Sequence, residues 1–133
     1  LKIIVHHLSR DRAVECGLGS NTEHRYPLAD VSFVGYAGGT GDRGLKAVGE
    51  LWAEKCYEPV AILTDGDMDD AFRLTNSVDA YWGDVRDRNL TLLTPNARHR
   101  STSVGDVLEL LAGDGTSTFH VVAACGFMLL AQK

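Results

Sequence analysis

Three side chains have the types needed for nucleophilic catalysis: Cys125 near the end of the chain, and the adjacent imidazoles His6 and His7 near its start. Imidazole can take a thiol proton, and the thiolate is the attacking species. Gly126 follows the sulfur with no side chain in the way, so its amide is the expected donor to a developing oxyanion. Both partners follow apolar runs, Ile3-Ile4-Val5 and Phe119-His-Val-Val-Ala-Ala124. Each is therefore expected at a strand end, where side chains leave the core but keep rigid support. Alternation along a strand lets at most one of His6 and His7 face the thiol. A core role for Cys125 stands beside this one, because Ala123-Ala124-Cys125 also suits tight packing. His120 is expected on the face opposite Cys125, at the surface or satisfied in place.

Two other clusters carry possible chemistry. Asp65, Asp67, Asp69 and Asp70 follow an apolar run, and Asp65 with Asp67 suits a hard cation such as Mg²⁺. A solvated turn is the competing reading. The spacing excludes a calcium-binding helix–loop–helix, with Asp70 where glycine is required and Asn76 where glutamate is. The stretch Gly35-Tyr-Ala-Gly-Gly-Thr-Gly-Asp-Arg-Gly44 precedes a helical pattern, so Gly39, Gly41 and Arg43 are candidates for holding an anion. No Gly-Lys-Ser/Thr follows, which excludes a Walker loop. Arg98-His99-Arg100 reads as exposed loop charge.

The elements that must position these residues follow from periodicity. Expected strands cover Ile3–Val5, Val31–Tyr36, Pro59–Thr64, Asn89–Thr94 and Phe119–Ala124. Leu45, Val48, Leu51 and Trp52 share one face of a helix expected over residues 44–56. A short helix is expected over Arg10–Val14. Another is expected over Val104–Leu111, capped by Ser101 or Ser103. Residues 68–88 carry no clear period, with Tyr81 and Trp82 as anchors. The fold class is α/β: a single-domain mixed sheet of about five strands with flanking helices.

Composition limits what such a domain can do. The 133 residues are 44% hydrophobic and 23% charged, which excludes a disordered chain and fits one soluble domain. The formal net charge of −5 argues against a nonspecific nucleic-acid binder. The longest apolar run, Phe119–Ala131, is too short to span a bilayer. Cys16, Cys56 and Cys125 form no C-x-x-C pair; three free thiols, or one disulfide and one thiol, both fit. The opening on Leu1, already inside an apolar run, suggests a module of a longer chain, whose remainder would set its compartment.

Two families are within reach of these residues. Leu90-Thr-Leu-Leu-Thr-Pro, Thr102-Ser-Val-Gly-Asp-Val-Leu-Glu-Leu-Leu and His120-Val-Val-Ala-Ala-Cys125 resemble the bacterial Stv domain, an adhesin-type family. Its opening strand ending in His-Gly, its Pro-to-Tyr strand and its closing His-x-Ala-Ala-Cys-Arg have counterparts in Val5-His6-His7, Pro27–Tyr36 and His120–Cys125. His7 stands where Gly is usual, and Gly126 where Arg is usual. The resemblance implies a toxin-associated effector or surface module, secreted as part of a larger bacterial protein. Combined with the Cys–His pairing, it implies a hydrolase-type site for a small-molecule or peptide-like substrate, with no cofactor. A separate alternative, of a different class, is a noncatalytic binding or adhesion domain in which Cys125 is a core residue. Separately, Val60-Ala-Ile-Leu-Thr-Asp65-Gly66-Asp67 is similar to the metal-binding strand of the Toprim fold. His6 replaces that family's acid/base glutamate, which implies a degenerate phosphoryl-transfer domain.

Overall fold

The computed structural model describes residues 2–18, 27–36, 39–76, 81–82, 87, 89–94, 99–124 and 126–130. They form a mixed α/β fold around one six-stranded sheet. The strands are β1 (Lys2–Leu8), β2 (Tyr57–Leu63), β3 (Leu90–Leu92), β4 (Val107–Leu111), β5 (Ser117–Val122) and β6 (Phe127–Leu129), in the order β3-β2-β1-β4-β5-β6. Every pairing is antiparallel, so the sheet has one strand more than expected and is not of mixed direction. The helices are α1 (Arg10–Glu15), α2 (Pro27–Asp30), α3 (Gly39–Ala53) and α4 (Met68–Thr75), with a 3-10 turn over Val31–Phe33 after α2.

Helices cover both faces of the sheet. On one face, Ala47, Val48 and Leu51 of α3 and Ala13 of α1 pack with Leu8, Tyr57, Val107, Phe119 and Val121. On the other, Ala71 and Leu74 of α4 pack with Trp82, Ile3, Val5, Val60, Leu63, Leu108 and Val122. Consecutive residues of β1 serve opposite layers, as the pleat requires.

Several elements differ from expectation for identifiable reasons. Residues 31–36 were expected as a strand; they begin with a 3-10 turn that continues α2, and Val31 and Val34 enter the core beneath α3. Helix α3 starts at Gly39, so most of the glycine-rich stretch lies inside its first turns. A Cβ on Gly41 would fall 1.9 Å from the Tyr36 carbonyl oxygen, and one on Gly44 would fall 2.7 Å from the Val34 nitrogen. These glycines let the helix sit directly on the preceding backbone. The expected helix over 104–111 is instead the central strand β4. Gly105 has φ +95° and its Cα faces Val31 so closely that a Cβ would meet Val31 Cγ1 at 2.0 Å. That backbone cannot continue a right-handed helix, and Val107–Leu111 pairs with β1 and β5. Strand β1 also runs through His6 and His7 to Leu8, so the imidazoles stand within a central strand and not at its end.

Candidate functional site

The two histidines of β1 serve different environments. On the α4 side, His7 is 2% exposed, with its ring edge-on to Trp82 and to His99, which itself stacks on Trp82. Its Nε2 lies 2.9 Å from Thr102 Oγ1, and Thr102 Oγ1 lies 2.7 Å from Thr75 Oγ1. The Thr75 hydroxyl donates to the Ala71 carbonyl at 2.7 Å, so it must accept from Thr102, which in turn accepts from His7. The proton therefore sits on His7 Nε2, and this imidazole cannot draw a proton from Thr102. Asp106 approaches the same nitrogen at 4.0 Å, not the opposite one, so the three side chains lack the order of a catalytic triad. Burial pushes the His7 pKa down to about 4, against the opposing charge of Asp106.

Asp106 anchors this side. Its carboxylate is 1% exposed and accepts from the Leu8 amide at 2.9 Å and the Ser103 amide at 2.8 Å. Arg100 closes on it in a two-pronged pair, at 2.6 and 2.7 Å, and donates to the Leu8 carbonyl at 3.0 Å. Arg100, read from sequence as loop charge, is thus a tie between the segment before β4 and the end of β1. The strong hydrogen bond to Asp106 raises its already high pKa. The sequence carries this tie as the polar run Ser101-Thr-Ser ahead of Gly105-Asp106, a pattern that equally suits a helix cap.

On the α3 side, His6 is mostly buried but borders an open pocket. Its Nε2 lies 2.9 Å from Glu109 Oε1, and Ser117 Oγ donates to Glu109 Oε2 at 2.8 Å. A carboxylate accepting on both oxygens fixes the imidazole proton on Nε2 and leaves Nδ1 as a lone-pair acceptor. The ring stands edge-on to Trp52 at 5.0 Å, and Trp52 packs against Tyr57 and Phe119 at 5.2 and 5.1 Å. Burial lowers the His6 pKa, partly offset by the hydrogen bond to Glu109 and its charge.

His6, Trp52 and Tyr57, with Ala53, Lys55 and Pro59, line a pocket of about 400 Å³. An irregularity in the β1–β2 pairing builds its floor. Val5 faces Ala61 while His6 faces Pro59, so Val60 is an extra residue that turns Pro59 to the His6 side. The Tyr57 hydroxyl donates inward to the Gly105 carbonyl at 2.6 Å, which leaves its ring to the pocket and raises its pKa by burial. Lys55 forms the rim. It is the only described non-glycine residue with positive φ, at 58°. The Lys55 amide donates to Trp52 O and the Cys56 amide to Leu51 O, both at 3.0 Å. This is a helix-ending motif whose left-handed position usually carries glycine.

The remaining sequence candidates are placed differently. Cys125 lies outside the described residues, so its pairing with either histidine is not part of this geometry. Gly126 has φ +79°, and its carbonyl accepts from the Ala123 amide at 2.9 Å in the turn between β5 and β6. Asp67 caps α4: its side chain accepts from the Asp70 amide at 2.9 Å, while Asp70 accepts from the Asp67 amide at 3.0 Å. Asp65 lies in the bend before it. Among the described residues, no group of three or more His, Cys, Asp or Glu side chains gathers to hold a metal ion. Arg43 pairs with Asp30 at 3.3 Å and lies over the Phe33 ring, while Gly39 and Gly41 open α3. His120 is half-buried, and its Nδ1 has no partner among the described residues.

The chain matches no family model, no curated protein and no solved structure. No helix among the described residues is long and apolar enough to cross a membrane.

Proposed function

We propose that the chain is a noncatalytic binding domain that holds a small ring-bearing acid, or an aromatic side chain beside a carboxylate, in the pocket over His6. The observation that carries this reading is the pocket itself. A half-buried indole, a tyrosine ring and a proline line the wall, with one strained lysine at the rim. Its volume suits a single planar group, and apolar walls with few polar groups are the usual make-up of ligand sites. Lys55 supplies a cation for the carboxylate, and His6 Nδ1 offers an acceptor for a ligand N–H or O–H. Backbone strain retained beside a pocket supports the reading, because strain persists at sites where the residue is needed.

This reading takes the noncatalytic binding alternative in place of the Cys–His hydrolase reading. The experiment is a screen of ring-bearing carboxylates and their neutral amides by ligand-detected NMR. Saturable binding of the acids that weakens in Lys55→Gln supports the proposal. Equal binding of acids and amides, or none of either, removes it.

A further inference from the structure

A second feature, at the edge of the pocket, involves the two described cysteines. Cys16 ends α1 and is exposed, whereas Cys56 lies between α3 and β2 and is wholly buried. The two residues are far apart in sequence, yet both thiols point at one atom. Cys16 Sγ lies 3.9 Å and Cys56 Sγ 3.8 Å from the Glu54 carbonyl oxygen. The elements carrying them are tied together: the Ser9 amide that opens α1 donates to the Cys56 carbonyl at 2.7 Å. Arg12 donates to the Tyr57 carbonyl at 3.0 Å.

From this convergence we propose that Cys16 and Cys56 form a disulfide-forming pair that reacts with small-molecule disulfides. Exposure makes Cys16 the entry point. Its thiolate attacks one sulfur of a small disulfide RSSR, forming a Cys16–SR mixed disulfide and releasing RS⁻, which takes up the Cys16 proton. Cys56 then loses its proton and attacks the Cys16 sulfur, releasing the second RSH. Two cysteine thiols are oxidised and one disulfide is reduced to two thiols. Burial and the neighbouring Cys16 thiol raise the Cys56 pKa in the reduced chain, which leaves exposed Cys16 as the thiol that reacts first. The bond would fasten the end of α1 to the residue after Lys55, at the edge of the pocket.

The test is equilibration of the full chain with oxidised glutathione at neutral pH, followed by alkylation and peptide mapping without reduction. A Cys125→Ser variant is mapped in parallel, so that Cys125 cannot take part. The expected result in both is a Cys16–Cys56 cross-linked peptide, a loss of about 2 Da from the intact mass, and a higher thermal midpoint than the reduced form. Persistence of the Cys16–glutathione adduct with Cys56 still alkylatable would overturn the proposal. So would cross-linking through Cys125 in the wild-type chain, or no reaction at Cys16. None of these readouts depends on a ligand in the His6 pocket.

Discussion

His7 and Lys55 show how single side chains divide stability from binding. His7 stays neutral in the folded chain down to about pH 4, whereas an unfolded histidine protonates near 6.5. As pH falls between these values the unfolded chain binds a proton that the folded chain refuses, so stability is lost. The full window corresponds to about 3 kcal/mol. Urea unfolding followed from neutral pH towards pH 5 is expected to show this decline in the wild type and a shallower one in His7→Gln. Lys55 is the opposite case. Relief of its left-handed backbone in Lys55→Gly is expected to stabilise the chain by about 1 kcal/mol while weakening the acidic ligand. Thermal melts and binding titrations on the same variant check both signs.

At the level of elements, two ties hold the site in place. Asp106 receives two backbone amides and the Arg100 guanidinium, joining the start of β4 to the end of β1. Asp106→Asn turns one acceptor into a donor facing Arg100 and is expected to cost about 3 kcal/mol, read as a lower urea midpoint. Gly44→Ala drives a Cβ against the backbone of Asp30, Phe33 and Val34. It is expected to cost about 1–3 kcal/mol, and to leave the His6 pocket able to bind once the fold is populated.

The same elements show what could be read from sequence. The runs of β1 and β2 and the 3.6-residue stripe of α3 were legible because their local pattern agrees with their packing. Residues 104–111 were not. Val104, Val107, Leu108 and Leu111 match a helical stripe, and only Gly105 and the two flanking strands decide for β4. The glycine-rich stretch before Leu45 suggested an anion site; within it, Gly41 and Gly44 stand where a Cβ would meet the backbone of residues 30–36. His6 was legible as a candidate. Its partners Glu109 and Trp52, and Lys55 of the same pocket, were not, because the pairing of β1 with β4 and the packing of α3 bring them together.

In the whole molecule, the sheet separates two polar systems. On the α4 side, His7, Thr102, Thr75 and Asp106 are buried and mutually satisfied, which is the arrangement of a structural network. On the α3 side, His6, Glu109 and Ser117 stand beside an open aromatic pocket. The central claim is that binding belongs to the second system. The most direct measurement is an NMR titration of the isotopically labelled chain with an indole or benzoic carboxylate up to about 1 mM. The account predicts saturable shifts at His6, the Trp52 indole, Lys55 and Tyr57, with His7 and Trp82 unmoved. Shifts centred on His7, Trp82 and His99, or no shifts in either group, would contradict it.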